Sequence, residues 1–330
     1  MHMTFANTFP ALMLFEVSRT ANSMSAAGIV LFLIAVWAVK SEFGKARGLD
    51  KIASLANLCF AIPLGVFGAE HFAAAHGISK FVPKFMPWHL FWTYFVGVAL
   101  IAASLSIATK IQVQWSGFLV GVMMFTFVSM MDIPGTFANH FDRISVALLL
   151  RELSFGGAGW VLSGTVLGTS RGTSSGTSGW RGKTLIHVGR ILIAAAALYY
   201  GVEHFRHPLG MPGVPLEKEM PSWIPARMII DYLTGLFLLM GGVCFLVGQR
   251  VRMAATYLGG WIVLTVVVVY GPVMIAALLD PSTAVKVEGL NYFFDTLLFG
   301  GAVLALAAAN PATAEELGQK SNQAPALSHT

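Results

Sequence analysis

Nine runs of about 20 apolar residues follow one another along this chain, each long enough to cross a hydrocarbon core about 30 Å thick. In lipid the backbone has no water to bond, so runs of this length satisfy their own polar groups as helices. They lie at about 25–40, 52–74, 88–109, 113–132, 145–167, 184–204, 225–247, 253–278 and 289–309. Of the 330 residues 56% are hydrophobic and 11% charged, against about 25% charged in a soluble domain. The expected fold class is therefore all-α: a polytopic transmembrane helix bundle.

The chain also repeats itself. Gly68-Ala69-Glu70-His71-Phe72 returns as Gly201-Val202-Glu203-His204-Phe205. Each copy closes an apolar run and is followed by a proline-spaced segment, Pro83 to Pro87 in one and Pro221 to Pro225 in the other. A glycine stands ten residues after each last proline, Gly97 and Gly235, and Phe155-Gly156-Gly157-Ala158 is echoed by Phe299-Gly300-Gly301-Ala302. Three blocks recurring in order indicate an internal duplication. The plan is an N-terminal segment with the first helix (1–51), a four-helix repeat (52–168), a Gly/Ser/Thr linker (169–183), a second four-helix repeat (184–310) and a polar tail (311–330) expected to be disordered. Residues 1–22 are apolar but interrupted by Asn7, Pro10, Glu16 and Arg19, which suits an interfacial segment better than a cleaved signal. Four spans per unit is even, so the repeats are expected to be parallel, related by an axis along the membrane normal.

Loops after spans one, three, five and seven, with the tail, hold eleven lysines and arginines, and the opposite side holds eight. That bias, strongest after the first span, places the N-terminus outside and the C-terminus inside. The net charge of +5 is loop charge, and no basic run is interleaved with aromatics, so no nucleic-acid partner is expected. Cys59 and Cys244 sit in apolar runs without metal-ligand spacing, so they read as inert thiols and no metal site is expected.

Ionisable residues inside spans are costly and by default functional candidates. Glu70, His71, Glu203, His204, Arg151, Glu152, Asp231 and Asp295 fall at one depth, about 10 Å below the outer interface at 1.5 Å per residue. Superposing the two Phe-Gly-Gly-Ala blocks sets Arg151 opposite Asp295, which predicts an ion pair across the seam whose plainest role is to dock the halves. Each Glu-His pair reads two ways. It caps a helix end, or the histidine, oriented by the carboxylate, carries protons or bonds a quinone carbonyl. Haem on His71 and His204 is not favoured, because no CxxCH is present. Trp88, Trp92, Tyr94, Trp223 and Tyr232 fit an aromatic belt and equally a flat binding site, with Asp231 beside them. The prolines bar regular helix, so each proline segment is expected to fold over its own bundle as a lid.

Taken together, the Gly-x-Glu-His-Phe helix end, Val82 to Pro87, Phe91 to Gly97 and the Phe-Gly-Gly-Ala helix resemble the DoxX-like family of small four-helix bacterial membrane proteins, twice over, at about 52–167 and 184–309. The resemblance implies a bacterial cytoplasmic-membrane location and a link to quinone-coupled sulfur oxidation or membrane oxidoreductase complexes. Tandem duplication departs from the family's single unit. The second half also carries five extra residues before its prolines, and Arg227 and Asp231 stand where the first half has His89 and Thr93. The expectation is quinone-linked electron or proton transfer. His71 and His204 would be proton carriers, with Glu70 and Glu203 as orienting bases, and a partner protein would supply electrons. A carrier for a small solute and a scaffold for partner subunits are the alternatives.

Overall fold

The computed structural model describes residues 8–169 and 177–310, with side chains from 19–168 and 179–310. It is a multi-pass helical bundle. Nine helices among the described residues are long and apolar enough to cross a membrane. The leading helix is α1 (Thr8–Lys45). In the first half, α2 (Asp50–Ala53) and α3 (Ala56–Ala73) form one span, and a short α4 (Ala75–Ile78) leads toward α5 (His89–Thr109). Then α6 (Val113–Phe127) runs through a π-helical turn, Val128–Asp132, into α7 (Ile133–Ala138), and α8 (Arg143–Thr169) closes the half. The second half repeats this plan. It comprises α9 (Thr177–Arg206), α10 (Arg227–Val247), α11 (Val251–Thr265), a π turn at Val266–Tyr270, α12 (Gly271–Leu279) and α13 (Thr283–Ala309).

Both π turns have the same cause. Pro134 and Pro272 stand just beyond them, and a proline inside a helix supplies no N–H and pushes against the carbonyl four residues back. Admitting one extra residue per turn relieves the clash without ending the span. The fourth span therefore continues past the sequence-based end at 132 to Ala138, and spans four and eight are locally distorted where unbroken helices were expected. Two further boundaries differ. The segment up to residue 22 is not a separate piece from Thr8 onward but the start of α1, and the linker is shorter than 169–183, because α9 begins at Thr177. The rest of the linker, residues 170–176, and the tail after 310 lie outside the described residues.

The halves exchange partners. The last helix of each half packs along the first helix of the other, α8 on α9 and α13 on α3, while α8 and α13 meet at the centre and α1 lies against α3 and α13. Lipid tails are as apolar as leucine, so helices in a membrane associate by close packing rather than by escape from water. Glycine permits that closeness here. A Cβ on Gly189 of α9 would lie 2.2 Å from the carbonyl oxygen of Gly157 on α8, and one on Gly301 of α13 would lie 2.5 Å from the backbone nitrogen of Phe60 on α3. This docking brings both Glu-His pairs to one face of the bundle, hereafter the histidine face.

Candidate functional site

Glu70 and His71 are neighbours on α3, and neighbours on a helix point about 100° apart. That angle separates them into two different cavities. His71 lines an apolar cavity of about 830 Å³ between α5 and α6, roofed by Ile78, Phe81, Val82, Pro83 and Met86 of the first proline segment. Glu70 lines a polar cleft of about 520 Å³ at the junction of the halves. The expected role of Glu70 as the base that orients His71 is corrected accordingly. The Nδ1 of His71 lies 2.7 Å from the carbonyl oxygen of Phe67, one turn back on its own helix. A carbonyl only accepts, so Nδ1 carries the hydrogen and a neutral ring keeps its lone pair on Nε2. Gly97 makes room for this corner. A Cβ there would lie 3.0 Å from the Cβ of His71 and 3.0 Å from the Phe72 ring.

The apolar cavity extends along α5 from Trp92 to Ser106, fourteen residues or about 21 Å at 1.5 Å per residue. Its hydroxyl groups are largely spoken for. Thr93 donates to the carbonyl of His89 at 3.0 Å, Thr126 to that of Val122 at 2.8 Å, and Ser106 to Ser116 at 2.9 Å. Trp92 differs: its indole Nε1 is buried and has no partner among the described residues. A buried donor left unsatisfied costs about 1–3 kcal/mol, so a turn of the ring that brings its N–H to an acceptor in the cavity it lines would relieve it. The cavity thus has a proton acceptor, His71, on largely apolar walls, with the unpartnered N–H of Trp92 buried in its lining.

The second half repeats the order of spanning helices with different chemistry. Asp231 stands where the first half has Thr93, and it takes His204. The two side chains are 1% and 0% exposed, with Nδ1 2.6 Å from Asp231 Oδ1. Nε2 of His204 lies 3.1 Å from the amide nitrogen and 3.2 Å from the carbonyl oxygen of Gly213, so both ring nitrogens are engaged. Gly213 lies in the longer second lid, at φ +110°, where a Cβ would meet Thr296 at 2.9 Å. That lid doubles back through an isolated antiparallel bridge, Gly210 to Glu219, and its Met211, Val214 and Met220 are buried. Tyr270 of the second π turn donates to the Pro212 carbonyl at 2.8 Å, and Arg143 of α8 reaches the Leu216 carbonyl at 3.1 Å. The lid therefore reaches the first half as well as its own bundle. Glu203 is not the orienting base of His204. Its carboxylate bonds Arg206 at 3.0 Å, with His207 at 3.6 Å and Arg143 at 3.9 Å.

At the centre of the polar cleft Arg151 donates to Asp295 at 2.8 Å and to Glu152 at 2.9 Å. Asn291 donates to Glu70 at 3.2 Å. Asp132, in the first π turn, sits close enough to feel the charges of Glu152 and Arg151, and its Oδ2 is buried without a partner among the described residues. Sequence reasoning missed Asp132 because it placed the end of the fourth span there. The available signal was a carboxylate two residues ahead of a proline at the end of an apolar run. No group of three or more His, Cys, Asp or Glu among the described residues is arranged to hold a metal.

Of the aromatic candidates, Trp92 is the one that lines either of these two cavities. Trp88 and Trp223 are 77% and 55% exposed. Tyr94 lies tilted against Phe72 at 5.6 Å, and Tyr232 stacks on Phe205 at 5.7 Å, on the outer flanks of the two halves. Beneath the two tyrosines the Phe72 and Phe205 rings pack on Gly97 and Gly235, where a Cβ would lie 3.0 Å from each phenyl ring. No family model matches this chain, and no curated protein or solved structure matches it either.

Proposed function

We propose that this protein binds an isoprenoid quinone or quinol in its first half and takes part in quinone-linked proton and electron transfer. The observation that carries the reading is the elongated apolar cavity that ends on Trp92 and His71. A quinone is a flat ring with two carbonyls and a long apolar tail. The indole N–H of Trp92 suits a carbonyl oxygen, and the length of the cavity suits the tail. With Nδ1–H held by Phe67, the Nε2 lone pair of His71 suits a quinol O–H and accepts its proton when the quinol gives up electrons. No redox centre is contributed by the residues named here, so a partner protein would exchange the electrons. The resemblance to the DoxX-like family supports the same direction, as does a bacterial cytoplasmic-membrane location with the N-terminus outside, the C-terminus inside and the histidine face outward.

The test is purification in lipid nanodiscs followed by extraction and identification of bound small molecules. Stoichiometric quinone, lost in His71→Ala and in Trp92→Phe, is the expected result. Phospholipid alone, in wild type and both variants, overturns the reading. The polar cleft around Glu70, Arg151 and Asp295 favours a second reading, a carrier for a small solute, and solute flux in proteoliposomes that falls in Glu70→Gln would support it.

A further inference from the structure

The two halves can be laid on one another by their own landmarks. Setting Gly97 on Gly235 places Val96 opposite Thr234, Ala99 opposite Phe237 and Trp92 opposite Ile230. Setting the two π turns together places Met123 opposite Trp261. Trp92, Val96, Ala99 and Met123 all line the first-half cavity. Their second-half counterparts fill the corresponding gap between α10 and α11. Phe237 and Trp261 stack there with centroids 5.1 Å apart and planes 23° from parallel. Trp261 is anchored, because its Nε1 donates to Thr234 at 2.9 Å. The gap between the second and third helices of a half thus takes flat rings in the second half and is open in the first.

Resting on the quinone reading above, we propose that the Phe237–Trp261 stack is a built-in occupant of the second-half site. We infer from it where the ligand ring lies in the first half: against Val96, Ala99 and Met123, one helical turn below Trp92. The chain then binds quinone in its first half only. Three substitutions make that difference. Ala99 and Met123 leave the space that Phe237 and Trp261 take up, and Trp92 supplies the donor that Ile230 lacks. The histidines agree with this division. The Nε2 of His71 has no protein partner among the described residues, whereas both nitrogens of His204 are engaged under a closed lid. Trp92, Val96 and Ala99 follow one another at i, i+4 and i+7 spacing on one face of α5, so a ring at Val96 and Ala99 has its upper carbonyl toward the indole.

The test transplants the second-half residues into the first. In the V96T/A99F/M123W variant the new rings take the space of the ligand, and quinone retained through purification is expected to fall about tenfold or more, as an overfilled site leaves no room. Melting in nanodiscs checks that the variant is folded. A folded variant that keeps the wild-type quinone content overturns the inference and leaves the quinone reading standing. A wild-type protein that carries no quinone overturns the quinone reading itself. Should the variant not fold, photolabelling of the wild type with an azidoquinone decides. Label on the α5 and α6 peptides holding Ala99 and Met123 is expected, and label on the peptides holding Phe237 and Trp261 overturns the proposal.

Discussion

Arg151 on α8 and Asp295 on α13 occupy matching positions in the two halves, carry opposite charges, and bond to each other at 2.8 Å. Residues related by a pseudo-two-fold meet only near its axis, so this contact marks where the halves turn about each other. Glu152 shares the guanidinium at 2.9 Å. The pair is 19% and 14% exposed, and removing one partner of a buried pair costs about 3–5 kcal/mol. We expect about 3 kcal/mol, the low end, for Arg151→Asp or Asp295→Arg alone, read as melting in nanodiscs. The double exchange should recover part of that loss, and only part, because Glu152 would then face Asp at 151. Single reversals that melt like wild type would remove the pair from the account of docking.

The two histidines should respond differently to the same truncation. His204→Ala strands the Asp231 carboxylate and the Gly213 amide in a buried site, and should cost on the order of 3 kcal/mol. His71 makes one bond, to its own helix, and opens on a cavity. His71→Ala should cost about 1 kcal/mol or less. Equal losses in the two variants would contradict the division between an open and a latched half.

Gly213 latches the second lid in a backbone region that other residues avoid. Gly213→Ala adds strain of about 1–3 kcal/mol and drives a methyl against Thr296. Limited proteolysis in the lid, residues 207–226, should become faster while the spans stay protected. Unchanged cleavage would show that the lid is held elsewhere.

Helix docking should be most sensitive where backbones touch. Gly301→Ala places a Cβ 2.5 Å from the Phe60 nitrogen, so α13 and α3 must separate, and overpacking of this kind costs about 1–3 kcal/mol. Gly44→Ala, with nothing within 4 Å of its new Cβ, is the control and should leave the melting temperature unchanged.

Much of this bundle follows from the sequence alone. Nine apolar runs become nine helices, among the described residues, long and apolar enough to span, because lipid leaves the backbone no other way to bond. The recurring Gly-x-Glu-His-Phe ends and Phe-Gly-Gly-Ala blocks set the register of the halves, and that register put Arg151 beside Asp295. What a side chain touches across the bundle was decided by packing. Glu70 and His71 are adjacent in the chain, yet a helix turns them about 100° apart, and the exchange of partners between α13 and α3 put a polar cleft on one side and a lipid-like cavity on the other. Asp231 in place of Thr93 is visible in the sequence, but only the fold brings it within 2.6 Å of His204 and closes the lid over both. Phe237 and Trp261 read as two more apolar residues until α10 and α11 are set side by side and the rings stack. Local periodicity determines which residues share a helix face, and the long-range fit of those faces determines which carboxylate finds which imidazole and which gap is filled.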